Sequence, residues 1–587
     1  MLFTNRATLA ARAARGASLG ALLIALAGPA LARDSVGAPS PLEIGDTQSG
    51  NYLAALIAGD ERDTSAAATY FREALRADPR NPDLIERAFA AALANGNMSD
   101  AFDLADRLLV RDPNNSLARL TEACRAFAEG QYAVARAQLA GGGAGKAHDL
   151  TTSLLTAWTY AGAGDSRRAL DTLDRISDAS VAVFRDYHAG LIASLLGNAP
   201  EAAKRLKAAY DAEKNTLRLA DAYARNLDRH GDAAGAKKIY EDMQRVLPHH
   251  PLVDSALADL AAGKTLDPIV RNAKDGAAEV LYGLGAAGSR QGDELAALIY
   301  LRLALLLKPD HALAIVTVAD LYLQLKQNQA AIDAYEKVPR DSPMRVGADI
   351  QAALALDGMG RNGDAIKRLQ DLVAAHPDNV EAISALGSLQ RAAKKFDVAA
   401  DTYSKAIALL NPPERSNWTL FYFRGICYER SKQWPKAEAD FKKALELFPD
   451  QPLVLNYLGY SWVDQGVNLD EAFKMLQRAV DLRPSDGYIV DSLGWAYYKL
   501  GHYDQAVTLL EKAVELKPAD PVVNDHLGDA YWKVGRKLDA HFQWNHSRDM
   551  GPDPEDLPRI LKKIQSGLPD APETPTAAQA EPKKDGG

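Results

Sequence analysis

Apolar and small residues recur along this chain at helical spacing, in two short runs separated by a turn and closed by a proline. The pattern is sharpest near the C-terminus, where four stretches align: Phe423-Arg-Gly425-Ile-Cys-Tyr428, Tyr457-Leu-Gly459-Tyr-Ser-Trp462, Ser492-Leu-Gly494-Trp-Ala-Tyr497 and His526-Leu-Gly528-Asp-Ala-Tyr531. Each is followed by an alanine (Ala437, Ala472, Ala506, Ala540) and, four positions on, by a large apolar residue (Phe441, Leu476, Leu510, Trp544). Each unit closes at a proline: Pro449, Pro484, Pro518 and Pro552, at intervals of 35, 34 and 34 residues. The spacing predicts two helices per unit. A glycine in the first and an alanine in the second let the backbones approach, and large side chains fill the grooves beside the crossing. Gly501 and Gly535 supply the turn between helices, and the proline stops the second helix because it cannot continue one.

The period reaches back through the chain. Ala67, Phe71, Ala74 and Pro79 begin it; Ala101, Ala135, Ala169, Ala202, Ala236, Ala297, Ala331, Ala365 and Ala399 continue it. A helix–turn–helix repeat of this length and residue pattern resembles the tetratricopeptide repeat (TPR) family. The resemblance implies an all-α, right-handed superhelical solenoid of about fourteen repeats, in which each repeat touches only its neighbours. The expected organisation is a divergent array over 49–410 and a regular block over 411–551. A capping helix over 552–567 and a disordered tail over 568–587 follow. Gly141 to Gly145 is a candidate hinge, and residues 252–276 read as an insertion.

The N-terminus changes the setting. Arg6, Arg12 and Arg15 precede an apolar run from Ala17 to Ala27; Pro29 breaks it, and Ala30-Leu31-Ala32 forms an A-x-A cleavage site. Residues 1–32 therefore read as a signal peptide, followed by a lead-in linker over 33–48. An uncleaved anchor is the alternative, although the run is short of the roughly 20 residues a membrane span needs. The expected location is the periplasm, with a peripheral position against the envelope membranes as the variant of that reading. The net charge of −9 argues against a phosphate-backbone binder. Cys124 and Cys427 lie in different repeats, so two separate buried thiols are expected rather than a disulfide.

Two motifs that mimic catalytic signatures dissolve in context. Gly283-Leu-Gly285-Ala-Ala-Gly288 fits a dinucleotide fingerprint, but it lies inside the first helix of a repeat rather than after a strand. Gly16-Ala-Ser18-Leu-Gly20 fits a nucleophile elbow but lies in the leader. His541 and His546 are five apart, off the spacing of a helical metal pair. No catalytic residue, cofactor or metal is expected.

The TPR resemblance instead implies a protein-binding groove lined by first helices. The helical register assigns to it Tyr422, Asn456, Tyr460, Asp491, Trp495, Tyr498, Asp525, Asp529, Trp532 and Lys533. Aromatics on such a surface suit binding hot spots, although Trp495 and Trp532 could equally pack between neighbouring first helices. Some TPR domains clamp the terminal carboxylate of a chaperone with Lys, Arg and Asn; free aspartates here would repel one. The stretches NYLGYSW, LDEA, DSLGWAYYKLG and NDHLGDAYW, within Asn456 to Trp532, are similar to a group of exported bacterial TPR proteins. In that group, outer-membrane lipoproteins deliver substrates to a carboxyl-terminal processing protease. This chain lacks their lipid-accepting cysteine. The resemblance implies an adaptor for an envelope protease or assembly complex. The alternative is a component of an envelope polysaccharide or polymer export system.

Overall fold

The computed structural model describes residues 47–141 and 150–568. The proposed leader, most of the candidate glycine hinge and all but Leu568 of the proposed tail lie outside the described residues. Within them the chain forms thirty α-helices and no strand. It divides into two compact units at the Arg368–Leu369 boundary.

Unit 1 begins with the pairs α1 (Gln48–Asp60) and α2 (Thr64–Ala77), α3 (Pro82–Asn95) and α4 (Met98–Arg111), and α5 (Ser116–Ala128) and α6 (Tyr132–Ala140). It continues with α7 (Leu150–Gly162) and α8 (Ser166–Asp174), α9 (Ala182–Leu195) and α10 (Ala199–Ala212), and α11 (Leu217–Arg229) and α12 (Ala233–Val246). The lone helix α13 (Pro251–Ala261) interrupts the series. After it come α14 (Ala273–Gln291) and α15 (Glu294–Leu307), α16 (Ala312–Gln324) and α17 (Asn328–Tyr335), and α18 (Arg345–Gly358) with α19 (Asn362–Ala375), inside which the unit boundary falls.

Unit 2 contains α20 (Val380–Ala392) and α21 (Phe396–Ala408), α22 (Trp418–Arg430) and α23 (Trp434–Leu447), and α24 (Pro452–Gln465) and α25 (Leu469–Leu482). The last pairs are α26 (Gly487–Lys499) with α27 (Tyr503–Leu516) and α28 (Pro521–Lys533) with α29 (Lys537–Asp549), followed by α30 (Leu557–Ser566). Fourteen helix pairs are thus present among the described residues.

The small residues act where the spacing places them. A Cβ on Gly494 would stand 2.8 Å from Leu510, and one on Gly528 2.5 Å from the Trp544 ring. Gly501 and Gly535 turn the chain at φ values of 81° and 85°, a region open to glycine at little cost. Gly283, Gly285 and Gly288 lie within α14, where a Cβ on Gly285 would meet Leu301 at 2.7 Å. That run serves helix packing.

Unit 1 departs from the expectation that repeats touch only their neighbours. Its α14 packs on α7 and α9, and its α15 packs on α3 and α5. All four are first helices of earlier pairs. The residues read as an insertion make this return. Beyond α13, residues 262–272 are irregular, opening on a turn at Gly263, with Leu266, Ile269 and Val270 buried. The Leu266 amide donates to Asp228 at 2.7 Å, and Arg225 donates to the Asp267 carbonyl at 2.8 Å. The second helix that would have continued the stack is replaced by a strap. In unit 2, by contrast, helices pack on their own pair and on the next ones in sequence.

Cys124 in α5 and Cys427 in α22 are buried and unpaired. Burial pushes both thiols up to about 12.

Candidate functional site

The ten residues assigned to the groove fall on four first helices of unit 2, and burial sorts them. Tyr422 on α22 is nearly enclosed. Its ring packs among Trp418, Phe423, Phe441 and Tyr457 at 5.3–6.1 Å between centroids. Burial pushes its hydroxyl up to about 12. Tyr422 is a core residue, because adjacent first helices approach too closely to leave that position open.

Asp491 and Trp495 on α26 are buried as well. The His526 Nδ1 on α28 lies 3.0 Å from both Asp491 oxygens. Burial opposes the imidazolium, but Asp491's charge and hydrogen bond outweigh it, and Asp525 and Asp529 add to it. His526 therefore titrates above its ordinary value. Trp495 stacks on His526 at 3.9 Å and on Tyr498 at 4.6 Å. The packing role of this tryptophan between first helices is the one observed.

Asp525 and Asp529 on α28 are covered by α30. Lys563 donates to Asp525 at 2.7 and 2.8 Å and to Asp529 at 2.8 Å, and Arg559 donates to Asp525 at 3.2 Å. Asp529 also accepts from Trp544 Nε1 at 2.9 Å. Burial and the charge of Asp525 raise the Asp529 carboxyl against the pull of Lys563. Asp491, Asp525 and Asp529 are thus neutralised within the molecule, which corrects the expectation that they would repel an acidic segment. Trp532 packs against Trp544 at 5.4 Å and donates from Nε1 to the Leu568 carbonyl at 3.1 Å.

Asn456, Tyr460, Tyr498, Trp532 and Lys533 stay half-buried. Asn456 and Tyr460 stand one turn apart on α24, the Asn456 amide oxygen enclosed yet without a hydrogen-bond donor. Burial, with Asp464 and Asp491 nearby, raises the Tyr460 hydroxyl, while Arg559 of α30 acts on it in the opposite sense. Such an enclosed acceptor can meet an incoming N–H donor only if the half-buried side chain turns outward.

Sequence reasoning missed Arg559, Lys563 and His526. A signal was present: Arg559 and Lys563 each stand 34 residues beyond Asp525 and Asp529, the repeat length. The helix α30 therefore occupies the place of a further first helix.

The equivalent face of unit 1 is occupied. Gly276 of α14 lies so close to Trp158 of α7 that a Cβ would stand 2.2 Å from the ring. Trp158 Nε1 donates to His188 Nδ1 at 3.2 Å. Burial lowers the His188 imidazole to about 4, so it is neutral near pH 7. Glu279 of α14 accepts from Tyr187 at 3.1 Å and from Arg218 Nε at 3.0 Å, with His311 Nε2 at 3.0 Å. Burial alone would raise that carboxyl, but Arg218 and His311 hold it well below the usual carboxylate range. Lys274 and Arg302 donate to the carbonyls of Ala128 and Ala94, near the C-terminal ends of α5 and α3, where cations are favoured.

Comparison with known proteins agrees with this architecture. Models of the tetratricopeptide repeat match residues 52–116, 313–338, 350–412 and 418–451, and one of the TPR repeat matches 494–535. A TPR repeat-containing protein of Pseudomonas aeruginosa is 27% identical over 184 residues, covering 30% of this chain and 29% of that protein. The E3 ubiquitin-protein ligase CHIP of Arabidopsis thaliana is 35% identical over 103 residues, covering 17% of this chain and 35% of the ligase. The chain spans about a third of the length of these curated relatives. Among solved structures, the APC/C hetero-tetramer Cut9–Hcn1 aligns over 89% of this chain and 98% of that chain, at 14% identity and a TM-score of 0.37. The chain thus carries tetratricopeptide repeats over the matched segments, set within fourteen helix pairs with glycine and alanine crossings.

Proposed function

We propose that this protein is an exported scaffold of the bacterial envelope. Its first-helix face in unit 2 holds a partner protein for an envelope protease or assembly complex. Tetratricopeptide repeats are protein-interaction modules, and none of the matched families is a catalytic domain. The observation that carries the reading is the half-buried first-helix row of Asn456, Tyr460, Tyr498, Trp532 and Lys533. It lies on the unit whose first-helix row is not covered by a returning hairpin. Export is supported by the basic residues Arg6 to Arg15, the apolar run from Ala17 to Ala27 and the Ala30-Leu31-Ala32 site. The adaptor role is supported by the sequence block from Asn456 to Trp532.

The test is affinity capture from separated envelope and cytosolic fractions. The wild-type chain should recover a discrete envelope partner, and Asn456→Ala with Tyr460→Ala should lose it while the chain stays folded. Equal capture by the double variant would move the binding site elsewhere. A chain confined to the cytosolic fraction would defeat the export reading.

A further inference from the structure

The end of unit 2 is closed by a helix held along one side, by a buried ion-pair cluster and a narrow apolar stripe. Each first helix from α20 to α28 has a second helix of its own pair. The terminal α30 has ten residues, no pair partner among the described residues, and a link containing Pro552 and Pro554. An isolated helix of that length is not stable in water, so its docking surface keeps it folded. That surface is narrow: Ile560 and Lys563 are buried, Ile564 and Leu568 pack half-buried against the same cluster, and Leu561 remains 38% exposed. Ile560 enters the cluster of Leu527, Ala530, Tyr531 and Trp544. Lys563 and Arg559, one helical turn apart, meet Asp525 and Asp529, themselves one turn apart on α28.

The two carboxylates decide what can replace this helix. Asp525 and Asp529 are 1% and 5% exposed. An apolar or acidic segment laid over them would leave two buried charges without a counter-cation, a heavy penalty. A replacement must bring two cations at i and i+4, with a branched apolar residue between them to fill the Ile560 site. We infer that α30 is an exchangeable occupant of the α28 face, and that the partner segment replacing it is a short basic amphipathic helix carrying cations four residues apart. This rests on the protein-binding reading above but uses a different helix, α28, adjoining the α24 site through Arg559, which acts on the Tyr460 hydroxyl. The partner's helix would complete the array as α30 does now, joining the partner end-on to the last repeat.

The experiment uses the full chain and, as probe, a fluorescein-labelled synthetic peptide of residues 555–568. In the wild-type chain the resident helix competes with the probe. In a chain carrying Ile560→Ser and Lys563→Ser that competition is removed, so the probe should bind at least about tenfold tighter. Adding Asp525→Asn and Asp529→Asn should abolish the binding, as should Arg559→Glu with Lys563→Glu in the peptide. Hydrogen exchange across α24–α29 reports whether the variant is folded. If it is not, excess peptide added to the wild-type chain should accelerate exchange within residues 557–566.

Equal binding to wild-type and uncapped chains would overturn the inference, as would binding indifferent to the peptide's charge. Residues 557–566 left protected at saturating peptide would do the same. A wild-type dimer by light scattering that disappears with Lys563→Ser would make the occupant a second copy of this chain, and would also overturn it. If peptide exchange fails while the Asn456/Tyr460 pair still governs envelope capture, only this inference falls. If exchange succeeds and capture is indifferent to that pair, the proposed site falls instead.

Discussion

Units 1 and 2 use the same helix pair for opposite ends. In unit 1, α14 and α15 fold back over α3, α5, α7 and α9, so the first-helix face is consumed by the chain itself. Among the described residues of unit 2, the corresponding row is joined by α30 at its end. The difference comes from a few local features. The strap over 262–272 replaces a second helix; Gly276 lets α14 reach Trp158; and Glu279 collects donors from α9, α11 and the start of α16. A repeat array becomes a self-filled body where one pair carries such features, and keeps its first-helix row uncovered where none does.

The strongest way to break this contrast is Glu279→Ala. It would leave Asp221, at 3.2 Å, as the remaining carboxylate partner of the buried Arg218, and His311 and Tyr187 without their acceptor. Removing one partner of a buried ion pair costs about 3–5 kcal/mol. Chemical denaturation followed by hydrogen exchange should show that loss in α9, α11 and α14, with α24–α29 unchanged. An equal loss of protection in unit 2 would mean the two units do not unfold separately.

Acidity should separate the units next. His188 has a folded value of about 4, below the ordinary 6.5. Unfolded chains therefore bind the extra proton first, and unit 1 loses about 3 kcal/mol as pH falls from 6.5 to 4. His526 is shifted upward, so its contribution to unit 2 is present below pH 6.5 and is lost as pH rises through its folded value. Local stability followed against pH should slope in opposite senses at α9 and α28. His188→Phe should flatten the first slope, and His526→Gln the second. Parallel slopes that survive both substitutions would contradict the assigned origins.

Much of this fold was legible in the sequence, and the reasons are physical. A 34-residue period fixes the helix pairs because Gly459, Gly494 and Gly528 must admit a neighbouring side chain at each crossing. The insertion was visible as broken periodicity, but its consequence was not. Period reports contacts between neighbours, whereas α14 meets α7 more than 110 residues earlier. The site was half legible for a related reason. Register places Tyr422, Asp491, Asp525 and Asp529 on the first-helix row, but burial depends on how closely the next first helix approaches. Only the repeat-length offset to Arg559 and Lys563 could have shown that two of those aspartates already had partners.

Alanine at two glycines should show how far each crossing reaches. Gly276→Ala drives a methyl into Trp158 and Gly528→Ala drives one into Trp544; overpacking of this kind costs about 1–3 kcal/mol. The first joins distant segments of unit 1, so exchange should rise together in α7, α9 and α14. The second lies within one pair, so the rise should stay within α28, α29 and α30. A local response to Gly276→Ala would show that the returning hairpin is not what holds unit 1 together.

The smallest expected change in stability is the one that bears most on function. Asn456 keeps an enclosed acceptor that no group among the described residues satisfies. Truncating a group that makes no hydrogen bond removes little, so Asn456→Ala should shift the unfolding free energy by less than about 0.5 kcal/mol. Glu279 shows the opposite balance, being buried and fully engaged within the fold. Asn456→Ala should therefore keep the thermal midpoint of unit 2 and still weaken partner capture, a separation that no substitution in the filled face of unit 1 should produce. A large loss of stability without a change in capture would make Asn456 a packing residue like Tyr422. The first-helix row of unit 2 would then be structural along its whole length, as it already is in unit 1.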